Sequence, residues 1–285
     1  MEWISKSNVV IVGLGLIGGS YAKALKRMGY HVEAIDTNRE SIEYALEEKI
    51  IDAGSTTADE AILSSADCLI IALYPTIITD WIRENQKYLK SGIRITDVTG
   101  VKSSVVYDIQ AILRDDIEFI AAHPMAGREV YGVRNSDDKI FRNANFIVVP
   151  TDKNTAEAIA WCENLGRILG FDRVSILTPE EHDDMIAYVS QLTHCIAVSL
   201  MTCKDNDHLC DYTGDSFRDL TRIARINEDM WTELFFMNKK PLLEEMDQFI
   251  NEMLELKKLI ENEDAEKLKE KMRTSTKRRA KFDKR

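Results

Sequence analysis

Apolar residues come in short runs over the first two thirds of the chain and at helical spacing thereafter. Asn8–Gly13 is a β-branched run that stops at glycine, and a helical pattern follows through Tyr21, Leu25 and Met28. His31–Asp36 reads as a second strand and Arg39 to Glu48 as a second helix. Ala66–Leu73 and Ile93–Asp97 are further strands, with a helix from Ile77 to Tyr88 between them. Glu118–Ala122, Phe146–Pro150 and Val174–Leu177 add more strands, and Thr155 to Leu169 another helix. Strands alternating with helices predict βαβ units and a mainly parallel sheet.

After Pro179 only helical patterns remain. Glu180 to about Lys204 reads as one long helix, apolar on much of its circumference, as expected of a helix at the centre of an assembly. Asn206–Asp215 is a polar loop, and shorter helices follow around Phe217–Ala224 and Asp229–Met237. Beyond Pro241, Leu242, Met246, Phe249, Met253, Leu256 and Ile260 recur in steps of four and three. That heptad seam fits packing within the chain or against a second one. The change of pattern divides the chain into domains at 1–176 and 177–285.

Glycine placement gives the first half its chemistry. Gly13-Leu14-Gly15-Leu16-Ile17-Gly18 is Gly-x-Gly-x-x-Gly at the end of a strand and the start of a helix. Gly13 allows the tight turn, Gly15 lets backbone approach a pyrophosphate, and Gly18 lets helix and strand close on each other. The helix N-terminus at Leu16 and Ile17 offers N–H groups to the phosphates. Asp36, ending the second strand, suits the ribose hydroxyls of NAD and repels the extra phosphate of NADP, although Arg39 nearby softens that preference. The fold class is an α/β Rossmann-type dinucleotide-binding domain followed by an all-α domain.

Composition adds exclusions. Carboxylates outnumber basic residues, 48 against 37, for a net charge of −11, which disfavours nucleic acid. From Lys267 to Arg285 ten Lys or Arg face two acids, read as a solvated helix end rather than a polyanion site. The five cysteines include no Cys-x-x-Cys pair, so neither a disulfide framework nor a metal site is expected. Met1-Glu2-Trp3 lacks the start of a signal peptide, and the uninterrupted apolar stretches are too short for a membrane span. A cytoplasmic protein is expected.

Five histidines supply the acid–base candidates. His31 reads as a surface residue and His208 as solvated. His182 lies in the first turn of the long helix, where it serves that terminus or an inter-domain contact. His123 follows the strand Glu118–Ala122 at its carboxyl end, where open parallel sheets place ligands, with Pro124 and Gly127 shaping the turn. An imidazole there can take a hydroxyl proton while hydride leaves the same carbon. His194 sits on the long apolar helix and fits a satisfied core histidine as well as a ligand contact. Arg222 has the planar fork that suits a carboxylate, or a surface ion pair.

Four segments taken in order carry a resemblance. Gly13–Gly18, Ala122-His123-Pro124-Met125-Ala126-Gly127, Ser190-Gln191-Leu192-Thr193-His194, and Thr221-Arg222-Ile223-Ala224 with Trp231 together resemble prephenate dehydrogenases, from about Asn8 to the 260s. The resemblance implies NAD-dependent oxidative decarboxylation of prephenate to 4-hydroxyphenylpyruvate, a step toward tyrosine. It makes His123, His194 and Arg222 the catalytic set, with Gly13, Gly15, Leu16, Ile17, Gly18, Asp36 and Lys102 at the cofactor and Thr99, Gly127 and Trp231 near the substrate. It also implies a homodimer joined through the helical domain.

Two positions depart from the family pattern. Asp97-Val98-Thr99-Gly100-Val101-Lys102 has glycine where a serine is usual, with Thr99 as a neighbouring substitute, and Gln191 replaces a histidine. No room is expected for a regulatory amino-acid-binding domain or a fused chorismate mutase. Arogenate dehydrogenase is the nearest alternative, separated by comparing the two substrates. A β-hydroxyacid or imine reductase would leave His123, His194 and Arg222 unexplained as a set, and a non-catalytic dinucleotide sensor would have no need of His123.

Overall fold

A computed structural model describes residues 7–205 and 207–282. The residues at the extreme N-terminus, Asn206 in the polar loop, and Asp283 to Arg285 of the basic end lie outside them. Parallel strands β1 (Asn8–Val12), β2 (His31–Ile35), β3 (Ala53–Ser55), β4 (Cys68–Ile71), β5 (Arg94–Asp97) and β6 (Glu118–Phe119) form one sheet in the order β3-β2-β1-β4-β5-β6. This is the doubly wound order, with the reversal between β1 and β4. Val9, Val10 and Ile11 are fully buried, because helices cover both faces of a parallel sheet. Those covers include α1 (Leu16–Arg27), α2 (Arg39–Glu47), α4 (Pro75–Asn85) and α5 (Ser103–Ile112), with the short α3 (Glu60–Ser65) before β4.

At β6 the chain runs on without turning. Ile120 still bonds to Ile95 of β5 (N to O 2.9 Å), and β7 (Ala121–Met125) then pairs antiparallel with β8 (Asn145–Val149). Beside β8 lies β9 (Arg173–Ile176), in parallel, with α6 (Ala156–Leu169) between them in sequence. The sequence pattern ends the strand at Ala122; the structure extends it through Met125 and places His123 inside it, opposite Ile147. The added pairing comes from a second partner, β8, which periodicity along one segment does not reveal.

Beyond β9 the chain is helical. A reciprocal capping box between Thr178 and Glu181 opens α7 (Pro179–Ile186). The expected single α-helix is corrected: the winding widens to a π-type turn over Ala187–Leu192 before α8 (Thr193–Thr202). Met185, Tyr188, Val189 and Met201 are exposed on it. Pro179–Thr202 is also long and apolar enough to cross a membrane by length and composition, at mean hydropathy 1.3, a test that core helices of globular proteins also pass. The sequence reading excluded a span by uninterrupted stretches alone. Short helices α9 (Leu209–Tyr212) and α10 (Asp215–Thr221) lead to α11 (Glu228–Met237).

Residues through Asn238 form one compact unit and those from Lys239 another. The second unit is a hairpin of α12 (Lys239–Glu261) and α13 (Ala265–Arg279), joined by Lys271 to Glu252 (2.7 Å) and Glu255 (2.5 Å). On the heptad seam Leu242 is buried, whereas Met253 and Ile260 are exposed.

Candidate active site

The glycine turn is held from beneath. Gly13 has φ of +97°, and a Cβ there would lie 2.4 Å from the Ala72 carbonyl oxygen, so no other residue fits without displacing β4's end. A Cβ on Gly18 would lie 1.9 Å from the Gly13 carbonyl oxygen, whereas one on Gly15 meets nothing within 4 Å. Two glycines thus close the turn and the third leaves its backbone open. Gly15 caps α1 without a side-chain hydrogen bond, so the N–H groups of its first turn, around Leu16 and Ile17, have no capping side chain. Asp36 accepts from Leu14 N (2.5 Å) through Oδ2 and from Asn38 N (2.8 Å) through Oδ1. These features fit a dinucleotide: an open backbone for pyrophosphate, a helix dipole behind it, and an acid at the end of β2.

Beyond the carboxyl end of β5 stands His123. Its Nδ1 is 2.8 Å from Nε2 of His182 on α7, and Nδ1 of His182 is 2.8 Å from Oδ1 of Asp183. Asp183 also accepts from the backbone N–H of Lys102 and of Ser103, both at 2.8 Å, and so caps α5. Burial pushes the pKa of His123 well below 6.5, and repulsion from His182 and Lys102 pushes it further. Burial lowers the pKa of His182 too, only partly opposed by Asp183. Burial by itself would raise Asp183, but bonds from His182 and Ser103 outweigh it and hold the carboxyl below its ordinary range. The His123 Nε2 edge faces Gly100, where an added Cβ would lie 3.9 Å from Nε2 and 3.3 Å from Leu234 Cδ2.

Two expected ligand residues occupy other places. Lys102, read as facing the cofactor, is fully buried with its ammonium on Asp97 (2.6 Å) and Thr99 Oγ1 (3.0 Å). Thr99, read as the substitute for the missing serine, is 4% exposed, and its hydroxyl is also bonded to Asp97 and to the Val101 carbonyl. Asp97 in turn accepts from Ala122 N at 3.1 Å, which ties this buried ion pair to the strand of His123.

The helical residues assemble along α11. Trp231 stacks on the His194 ring at 3.7 Å between centroids, and Leu234, three residues on and on the same helix face, fronts Gly100 and His123. His194 donates from Nδ1 to the Ser190 carbonyl (2.8 Å) across the widened turn. Burial lowers its pKa, with the Ser190 bond opposing. Arg222 is ion-paired with Glu129, six residues past His123, and its guanidinium remains largely exposed. Gly127 is exposed on the intervening segment. Gln191 is buried: it donates to the Leu234 carbonyl (2.8 Å) and accepts from Asn238 (2.8 Å), which also donates to the Asp183 carbonyl (2.8 Å). Those amide bonds fasten α11 to α7. The pairing of His182 with His123 and the place of Leu234 beside Gly100 were missed, and for His182 the His-Asp dipeptide after a capping box was the sequence signal.

A glycine turn opening a helix beyond β1, an acid at the end of β2 and a part-buried histidine in the strand that continues β6 fit the dinucleotide-dependent dehydrogenases, and the fold and these residues point to that class. The family model for the nucleotide-binding domain of prephenate dehydrogenase matches residues 21–170, and that for its dimerization domain matches residues 178–274. The prephenate dehydrogenase of Bacillus subtilis is 31% identical over 92% of this chain and 72% of its own length. A solved prephenate dehydrogenase from A. aeolicus, in complex with hydroxyphenyl propionate and NAD+, is 30% identical, covers 99% of this chain and 100% of its own, and superposes with a TM-score of 0.90. The arogenate dehydrogenase of Synechocystis is 25% identical over 96% of this chain and 99% of its own, at a TM-score of 0.82. The chain belongs to the prephenate dehydrogenase family.

Proposed function

We propose that the protein catalyses NAD-dependent oxidative decarboxylation of prephenate to 4-hydroxyphenylpyruvate, in the cytoplasm and as a homodimer. The observation that carries this reading is His123, bonded through Nδ1 to His182 at 2.8 Å, with Nε2 on the Gly100 side and with burial holding its pKa well below 6.5. Bound NAD would supply the hydride acceptor. The backbone of Gly13, Gly15 and Gly18, the N-terminus of α1 and Asp36 would hold its pyrophosphate and ribose ends.

His123 accepts the C4 hydroxyl proton at Nε2 as hydride leaves C4, and loss of the ring carboxylate as CO2 completes an aromatic ring. The substrate is a dianion, and Arg222 supplies the clamp for one carboxylate. To do so it exchanges Glu129 for the substrate, a charge-assisted pairing worth about 2–3 kcal/mol. His194, its ring against Trp231, assists from the helical part at the substrate or its side chain. On this reading residues 1–176 carry the cofactor, and 177–285 carry the clamp and the self-association surface.

Absorbance of NADH on mixing the enzyme with NAD and prephenate tests the proposal, with arogenate run in parallel. Turnover of prephenate supports it; turnover of arogenate alone, or of neither, rejects it.

A further inference from the structure

Between the sheet and α7 runs a hydrogen-bonded series with only one consistent placement of protons. Asp183 accepts three N–H groups: Lys102 and Ser103 backbone N–H and the His182 ring. A carboxylate in that position is ionised and purely an acceptor, so the proton of His182 resides on Nδ1. His182 is fully buried, which disfavours the doubly protonated ring, and its Nε2 therefore carries a lone pair. That lone pair faces Nδ1 of His123 at 2.8 Å, so His123 must donate from Nδ1 and keep Nε2 unprotonated. Nε2 is the nitrogen on the Gly100 side.

We propose that His182 and Asp183 are a positioning pair that sets the tautomer of His123, so that its free lone pair faces the substrate hydroxyl. The pair touches neither substrate nor cofactor. During the reaction the substrate proton is taken up at Nε2, the Nδ1 proton stays in place, and the resulting imidazolium is stabilised by its bond to His182 and, through it, by the Asp183 carboxylate. Other charged groups facing the series are Lys102 and Asp97, which neutralise each other at 2.6 Å. The N–H bonds to Asp183 anchor the series to the start of α5, which keeps the two rings from rotating together. The proposal rests on the reading of His123 as the base.

Imidazole nitrogen NMR of the full-length, NAD-saturated protein tests it, with the His123 signals assigned by their loss in His123→Asn. The expected result is a neutral His123 protonated at Nδ1 and not at Nε2. Asp183→Leu removes the acceptor of the His182 Nδ1 proton, frees both rings to reverse, and lets the His123 proton move to Nε2. Its kcat is expected to fall by at least about 100-fold, on the order seen when the acid orienting a catalytic histidine is lost, with KM for NAD within about twofold. If that variant does not fold, His182 decides. His182→Gln retains an acceptor for His123 and is expected to keep kcat within about tenfold, whereas His182→Leu removes it and falls about 100-fold. A wild-type His123 protonated at Nε2, or equal losses in the Gln and Leu variants, overturns the proposal. The spectrum needs no substrate, so failure of prephenate turnover with the expected spectrum rejects the proposed reaction alone, and the reverse result rejects the positioning pair alone.

Discussion

The strands of the parallel sheet and the helical run from Pro179 treat their apolar side chains in opposite ways. Val9, Val10, Ile11, Ile70 and Ile71 are fully buried by helices of the same chain. On the helical run Tyr188 is 58% exposed and Met185 48%, and Val189 and Met201 are also open. Exposed apolar area of this kind marks an interaction surface, and the run falls within the match to a dimerization domain. The sheet is complete in one chain; the helical run presents a face that a single chain leaves uncovered. The candidate site draws on both, with His123 in a strand and Arg222 among the helices.

The most severe test of that division removes the base. His123→Asn is expected to lower turnover at least about 100-fold while NAD binding, followed by nucleotide fluorescence, stays unchanged. Equal loss of NAD affinity would show that the strand, not the imidazole, was disturbed. Arg222→Gln tests the helical contribution: KM for prephenate should rise about 30-fold or more, with a smaller change in kcat, as steady-state rates will show. A change in kcat alone would deny the clamp. To separate the two faces, Val189→Lys with Met201→Lys should weaken self-association at least about tenfold by sedimentation without altering the NAD affinity of the sheet. An unchanged dimer would move the interface elsewhere.

The smallest expected effect is on pH dependence. A base with a pKa below 6.5 stays competent as pH falls through that value, so kcat/KM should stay level there and decline only further into acid. Stability follows the same sign. His182 is neutral in the fold with a lowered pKa, so the unfolded chain binds the proton first. Its contribution is complete above about 6.5 and is lost as pH falls below that, which thermal melts across pH 5–7 will register. A melting temperature rising on acidification would contradict the neutral buried pair.

Much of the sheet was readable because each central strand is apolar on both faces and stops at a turn residue. β3, with Ala53-Gly54-Ser55, was not, since an edge strand of three small residues has no apolar pattern. α3 was missed although Asp59 caps it and bonds to Ala61 N and Ile62 N, because six residues are too few to establish a period. α5 was missed too: its cap is Asp183, eighty residues away, and no local signal announces a helix started by a distant carboxylate. In the site, His123, His194 and Arg222 stood out as residue types in recognisable motifs. The place of Lys102 did not follow from its motif, because burial against Asp97 depends on how β5 meets β7. For His182 the sequence left two roles open, a helix terminus or a contact between domains, and only the fold brings its ring to His123.

Asp36 has a consequence for anyone wishing to retune this protein to a phosphorylated dinucleotide. Its carboxylate is also the strut between the end of β2 and the Leu14 amide in the glycine turn. Exchanging it for a small neutral residue would admit the extra phosphate and, in the same stroke, slacken the loop meant to grip it. A successful redesign therefore has to brace Leu14 by some other means before it alters charge.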